Sequence, residues 1–325
     1  MEPSAFEQLN PNHAILWLEE ALQIPLETFA RPCNSHINRV YEMTTRDGIQ
    51  FFAKFYRPGR WSIEAIREEH EFLLDCDESG LPVSVPAAFD SGDTISVNDG
   101  IPFAAFPKIS GRPLDPSGLG HWRKLGSLLA RVHNAGELQK APSRGTLLPN
   151  LQTRKDLDYI AQFAQIPKGK EAEFLNLAEQ ALKMCEKAFE CNPKIQRIHG
   201  DCHRQNIIVD EDGTISLIDF DDMLNGPPVQ DLWMLLPDKP ENCRNLIGDF
   251  IDGYTDYRSF SQHELNLIEP LRVMRMLYFI AWCARQKSDF CFRTKFPEWD
   301  AEEYWVEQIE AFRLQLERLN DPIRF

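Results

Sequence analysis

The spacing of apolar positions changes character along the chain. Between residues 12 and 22, Ile15, Leu18, Ala21 and Leu22 recur at helical intervals, which predicts a helix. From Glu27 to Phe55 the pattern shortens to runs that predict strands at Thr28 to Arg31, Arg39 to Thr45 and Gln50 to Tyr56, with Asp47 and Gly48 as a hairpin turn. A helix over Ser62 to Cys76 follows, then strands over Ala88 to Ser91, Thr94 to Val97 and Phe103 to Phe106. Beyond that point helical spacing dominates. Trp122, Leu125, Leu128, Leu129 and Val132 mark an amphipathic helix ending near His133. Further helical patterns cover Arg154 to Phe163, Glu171 to Cys191, His263 to Gln286 and Ala301 to Leu319, with a frayed tail after Asn320. One stretch interrupts them: Ile207 to Val209 and Ile215 to Ile218 predict two strands joined by a turn at Asp210 to Gly213. The class predicted is α+β, with a small β-rich first part and a larger, mainly helical second part.

Composition narrows the picture. The 325 residues suffice for one large or two ordinary domains, and 43% hydrophobic with 26% charged residues describes a soluble globular protein. A net charge of −15 and a pI near 5.0 argue against general nucleic-acid binding. The longest mostly apolar stretch, Val273 to Cys283, is broken by Arg275 and is too short to span a membrane. The first residues lack the basic start and apolar core of a signal peptide. The eight cysteines show no CxxC pairing, which suits a reducing cytoplasm. A cytoplasmic monomer is therefore expected.

Candidate chemistry concentrates in the stretch from Arg197 to Asp222. Asp201 and Asn206 precede the first strand of the hairpin and Asp219 follows the second, so strand pairing brings three oxygen-bearing side chains toward one point. Hard oxygen ligands of this kind suit Mg²⁺, which keeps coordination sites for phosphate and water. Phosphoryl transfer also wants a separate carboxylate to orient the attacking hydroxyl. Asp201 is the candidate base, and Asn206 and Asp219 the candidate metal ligands. Either fragment alone, His-Gly-Asp or Asp-Phe-Asp, is ordinary turn chemistry; their order around a strand pair is what points to a site. A rival is a metallohydrolase using His199, Asp201 and His203, which alternate along one face of an extended segment. Gly200 within the run and the absence of a second His pair downstream speak against it. Earlier in the chain, Lys54 lies in an otherwise apolar strand, where burial requires a receiving charge. The next helix offers Glu64, Glu68, Glu69 and Glu71; Glu69 shares a face with Ile66, Leu73 and Cys76 and is preferred, with Glu68 second. Cys202, inside the motif, is read as packing.

The motifs HGDCHRQN at 199 to 206 and IDFDD at 218 to 222 resemble the aminoglycoside phosphotransferase and choline kinase group, relatives of protein kinases. The segments NSHINRVYE at 34 to 42, AKFYRPGRW at 53 to 61, NGPPVQDLWMLL at 225 to 236 and EPLRVMR at 269 to 275 resemble a bacterial Ser/Thr protein kinase branch of that group. The likeness runs from about Asn34 to Trp305. It implies a bilobal protein-kinase-like fold, with an N-lobe over 1–107, a hinge at 107–114 and a C-lobe over 108–325, and ATP and Mg²⁺ between them. It also implies that Lys54 holds the α/β-phosphates and is positioned by Glu69. The loop at 33–38 has no glycine, a departure from the kinase pattern, so Ser35 and nearby amides are expected to meet the phosphates while Asn34 and Asn38 shape the turn. Asp231 is expected to accept backbone hydrogen bonds from the catalytic loop, and His133 to be structural. His203 would steady the transferred group where many protein kinases use Lys. Arg272, Arg275 and Arg285 could face the acceptor cleft or neutralise nearby acids, and the acidity of the chain favours structural pairing. No Ser, Thr or Tyr occurs from Leu217 to Gly253, which excludes a phosphorylation switch just after Asp219. The favoured acceptor is a protein hydroxyl, including the chain's own. The alternatives are the hydroxyl of an amino alcohol, sugar or aminoglycoside, and a non-enzymatic nucleotide-binding module, against which the intact Asp201, Asn206 and Asp219 set argues.

Overall fold

A computed structural model describes residues 5–35, 37–115 and 119–320; the tail expected to fray lies outside them. Helices α1 (Ala5–Gln8) and α2 (Pro11–Leu22) lead into a five-stranded sheet. Asn10 caps α2 by accepting from the N–H groups of Asn12 and His13. The sheet comprises β1 (Arg31–Pro32), β2 (Arg39–Thr44), β3 (Gln50–Phe55), β4 (Ser96–Asn98) and β5 (Ile101–Pro107), antiparallel in the order β1-β2-β3-β5-β4. One face buries Tyr41, Phe55 and Phe103 against Trp17 of α2, with the Phe55 and Phe103 rings stacked at 5.2 Å. Helix α3 (Ile63–Glu78), capped by Ser62, packs toward the second, larger core.

Two expected strands differ. The run Thr28 to Arg31 pairs with β2 only at its end, because between the bridge Leu26–Thr45 and the pair Arg31–Glu42 it is longer than the segment facing it and bulges away. Ala88 to Ser91 is a turn closed by Gly92 N–H to Phe89 O (2.8 Å), with Gly92 at φ 81°. The next strand starts late, at Ser96, because the Asp93 carboxylate takes the N–H groups of Thr94 and Ile95.

After β6 (Arg112–Pro113) the chain is mainly helical: α4 (Trp122–Gly136), α5 (Arg154–Phe163) and α6 (Glu171–Ala188). The expected extension of α6 to Cys191 is a 3₁₀ turn closed by Asn192 at φ 52°. Next come β7 (Gln196–Ile198), the hairpin β8 (Ile207–Val209) and β9 (Ile215–Leu217), β10 (Leu224–Gly226) and α7 (Val229–Trp233). The chain ends in α8 (Arg244–Thr255), α9 (Ile268–Gln286), α10 (Phe290–Lys295) and α11 (Glu302–Asn320). The expected start of α9 at His263 is instead a 3₁₀ turn over Gln262–Leu267.

Helix α8 carries Leu246, Ile247, Phe250, Ile251 and Tyr254 at helical spacing but is not among the expected elements, and its glycines, Gly248 and Gly253, lower helix propensity. Gly253 serves packing instead. A Cβ on Gly253 would lie 1.9 Å from the carbonyl oxygen of Arg123, and one on Gly126 of α4 would lie 1.9 Å from that of Phe250. The two helices thus meet backbone to backbone, and Ser127 Oγ donates to Gly253 O at 3.0 Å. Gly253→Ala is expected to destabilise the fold by about 1–3 kcal/mol or more. A lowered urea midpoint checks this; an unchanged midpoint contradicts the close approach.

Candidate active site

The loop before the hairpin is held by one carboxylate. Asp231 accepts the backbone N–H groups of His199 and Gly200, both at 2.9 Å, and also bonds His133 Nε2 at 3.0 Å. His133 Nδ1 reaches Tyr254 O–H at 2.8 Å, so both its nitrogens serve packing. Gly200 sits at φ 81°, and a Cβ there would lie 2.4 Å from Asp222 O. This contact presses the loop against the segment that follows β9. The buried His199 ring spends both nitrogens on backbone: Nδ1 accepts from Asp201 N–H (3.3 Å), so Nε2 carries the proton and donates to Ile218 O (3.0 Å). That removes His199 from the rival metal set, and among the described residues no group of three His, Cys, Asp or Glu side chains is placed to hold a metal.

Antiparallel pairing of Ile207 with Leu217 and Val209 with Ile215 brings the hairpin's ends together. Asp201, Asn206 and Asp219 line one cavity of about 540 Å³, between the sheet and the hairpin, which Ser35, Lys54 and Glu69 also line. Lys54 Nζ lies 3.0 Å from Asp219 Oδ1, 3.5 Å from Glu69 Oε1 and 3.6 Å from Asp221 Oδ1. Burial works against its charge, but Asp219, Glu69 and Asp221 outweigh burial and hold the ammonium well above the ordinary lysine range. Glu69 is fully buried and also accepts from Arg144 Nη2 at 2.9 Å; burial pushes its carboxyl up. Glu68, the second choice, turns elsewhere and accepts the N–H groups of Ser143 and Arg144. Asp219 adopts φ 60°, ψ 68°, a left-handed conformation that costs a non-glycine residue about 1 kcal/mol or more. The conformation leaves its carboxylate half exposed toward the cavity.

Asp201 faces an arginine and a histidine. Its Oδ1 accepts from Arg275 Nη2 at 2.7 Å, and its Oδ2 lies 3.5 Å from His203 Nε2. Arg272 and Arg285 do form pairs away from the base, with Glu269 and Asp156. Arg275 instead pairs with Asp201, the candidate base, so the favoured reading of pairing remote from the site does not hold for it. The Asn206 amide donates to Asp201 O at 3.0 Å, leaving its carbonyl oxygen for the cavity. In the 33–38 loop, Lys295 of α10 donates to Asn34 Oδ1 and Ser35 O at 2.9 and 3.2 Å; His36 lies outside the described residues. Cys202 is fully buried, and burial pushes its thiol well above the ordinary range, which fits inert packing.

Several residues at the site gave no sequence signal of their own. Arg60 binds Asp221 and, at 2.5 Å, Asp222. Asn38 does more than shape a turn: its Nδ2 donates to Asp221 (3.1 Å) and its Oδ1 accepts from Arg57 N–H (3.2 Å). Burial alone would raise the Asp221 carboxyl, but Arg60, Lys54 and Arg144 bring it down to about 2. The folded value is thus below the unfolded one, so this stabilisation is present above pH of about 4 and is lost as pH falls through about 2. Asp221→Asn is expected to cost about 3–5 kcal/mol at pH 7, since buried cations lose their partner. The difference from the unmodified chain should shrink in urea titrations toward pH 3. A difference constant from pH 7 to pH 3 would contradict the pairing.

The sequence model of the phosphotransferase enzyme family, APH, matches residues 30–263, most of the chain. The chain belongs to this family. Relatives of the chain include stress response kinase A of Salmonella typhi, 35% identical over 321 residues, covering 98% of this chain and 95% of the relative. The same values hold for the serine/threonine protein kinase RdoA of Salmonella typhimurium. Stress response kinase A of Escherichia coli strain K12 is 35% identical over 317 residues. Among solved structures, amicoumacin kinase hAmiN in complex with AMP-PNP, Ca²⁺ and Ami superposes with a TM-score of 0.72 at 17% identity, covering 91% of this chain and 92% of that one. A microcompartment-associated aminopropanol kinase does so with a TM-score of 0.72 at 18% identity, covering 94% and 99%. The expected kinase-like α+β architecture is thus the one found.

Proposed function

We propose that this APH-family phosphotransferase moves the γ-phosphate of ATP to a Ser or Thr hydroxyl of a protein, its own chain included. The observation carrying the reading is the single cavity that Asp201, Asn206, Asp219, Lys54 and Glu69 share. In it, residues 1–107 act as the nucleotide lobe and 108–325 as the lobe that supplies the base, the metal ligands and the acceptor cleft. Lys54, oriented by Glu69, binds the α/β-phosphates, and Ser35 with its neighbouring amides faces the phosphates. The Asn206 carbonyl oxygen and the second Asp219 oxygen are two hard donors, a count that fits Mg²⁺ with its remaining sites given to phosphate and water. When bound, that ion neutralises phosphate charge. Asp201 orients the acceptor hydroxyl and takes its proton as the new O–P bond forms and the β,γ-bridging bond breaks. Arg275 holds Asp201 in place, and His203 lies beside its other oxygen.

The protein acceptor is supported by the relatives named as stress response and Ser/Thr kinases. A second reading, a small hydroxyl compound, is favoured by the neighbouring cavity of about 520 Å³ at Gly200 and Arg275, a volume suited to a small ligand. Incubation with γ-labelled ATP and either proteins or amino alcohols, sugars and aminoglycosides separates them. Label on protein Ser or Thr supports the first reading; label only on small alcohols overturns it. No helix among the described residues is long and apolar enough to cross a membrane.

A further inference from the structure

The second cavity borders the loop that carries Asp201, and its wall is a stripe of α9: Leu271, Met274, Arg275, Tyr278, Trp282 and Arg285. These recur at helical spacing and so lie on one side of the helix. Two features decide what charge the cavity accepts. Its carboxylates are already satisfied: Asp156 is 1% exposed and receives Arg285 and Gln152, while Asp222 receives Arg60 and Tyr278. Of the aromatic rings in the wall, Trp282 stacks on Phe279 at 5.7 Å, and Trp61 and Tyr278 already face cations. Arg144 and Arg60 lie 4.2 and 5.3 Å from the Trp61 ring centre, and Arg275 lies 5.1 Å from that of Tyr278. Arg57 and Arg60, also in the wall, are engaged by Asp289 and by Asp221 and Asp222. By contrast, Arg275 and Arg285 each commit a single N–H to a carboxylate, and both side chains are about a third exposed. A guanidinium has five N–H donors, so these two keep donors facing the cavity.

Resting on the reading of Asp201 as base, we infer that the acceptor is a Ser or Thr peptide bearing an acidic side chain, received by Arg285 at the far end of the stripe. Arg275 marks the end at the phosphoacceptor. Ten residues of helix separate the two arginines by about 15 Å. An extended peptide covers that distance in about four or five residues. A small hydroxy acid is too short to touch both. The position therefore specifies a Glu or Asp about four or five residues from the phosphorylated Ser.

The test is a set of Ser peptides differing only in one Glu, Gln or Lys, moved through each position within about six residues of the Ser. The ratio of kcat/KM for Glu over Lys peptides is read, because a ratio does not depend on the fraction of enzyme folded. The expected ratio is about tenfold at the matching position and near unity elsewhere. Arg285→Gln, which keeps a hydrogen bond to Asp156, should erase it, and Arg285→Glu should invert it. Phosphorylation of Glu and Lys peptides alike, or a ratio unchanged in both variants, overturns the acidic preference and leaves the protein-kinase reading standing. Transfer only to amino alcohols or aminoglycosides overturns both.

Discussion

Asp201→Asn is expected to lower phosphoryl transfer by about 10²–10⁴-fold while ATP binding stays within a few-fold of the unmodified chain. The carboxamide is nearly isosteric, and the loop that carries it is fixed by Asp231 rather than by Asp201 itself. What the substitution removes is the proton acceptor and the charge facing Arg275 and His203. The nucleotide contacts assigned to Lys54, Ser35 and Asp219 are untouched. Kinetics with labelled ATP, set beside a nucleotide-binding titration, separate the two effects. Full turnover in Asp201→Asn would remove it as base, and lost ATP binding would make it a nucleotide ligand instead.

Lys54→Met is expected to reduce kcat/KM by about 10²–10³-fold, mainly through a raised KM for ATP. Methionine keeps much of the length of the stem packed in β3 and loses the ammonium that three carboxylates hold charged. The fold should survive. Glu69 retains Arg144, and Asp221 retains Arg60 and Asn38. Asp219 alone loses its cation, so the residue assigned to the metal is left without the group that orients it. Thermal unfolding close to that of the unmodified chain, together with a raised KM for ATP, is the expected pair of results. An unchanged KM would show that Lys54 serves packing only.

The contrast between what was legible in the sequence and what was not follows from the range of each interaction. Helix α5 is read from its apolar period with its observed ends, Arg154 and Phe163, and β2 and β3 fall within one residue of their predicted limits. In these segments the local period and the buried face agree. The same is true of the β8–β9 hairpin, whose turn and alternating strands put Asp201, Asn206 and Asp219 on one cavity. Helix α8 escapes because its two glycines, of which Gly253 permits the contact with α4, weaken its own helical signal. The strand expected at Ala88 fails because the chain turns there, closed by Gly92 N–H to Phe89 O, and the one expected at Thr94 starts late because Asp93 takes the N–H groups of Thr94 and Ile95. Charge partners are harder still. Arg275 lies 74 residues from Asp201, and Arg60 lies 161 residues from Asp221. An arginine on a helix of an acidic chain looks the same in sequence whether it neutralises a neighbour or reaches a reaction centre. Only the packing of α9 against the loop that carries Asp201 distinguishes them.

The central claim is that Asn206 and Asp219 share one divalent ion while Asp201 faces the γ-phosphate. Anomalous diffraction from crystals grown with Mn²⁺ and a non-hydrolysable ATP analogue measures this directly. A manganese peak bonded to oxygens of Asn206 and Asp219 at about 2.0–2.2 Å, with the terminal phosphate turned toward Asp201, is the expected result. A peak held by other residues, or a nucleotide lying outside the cavity that these three side chains line, would contradict it.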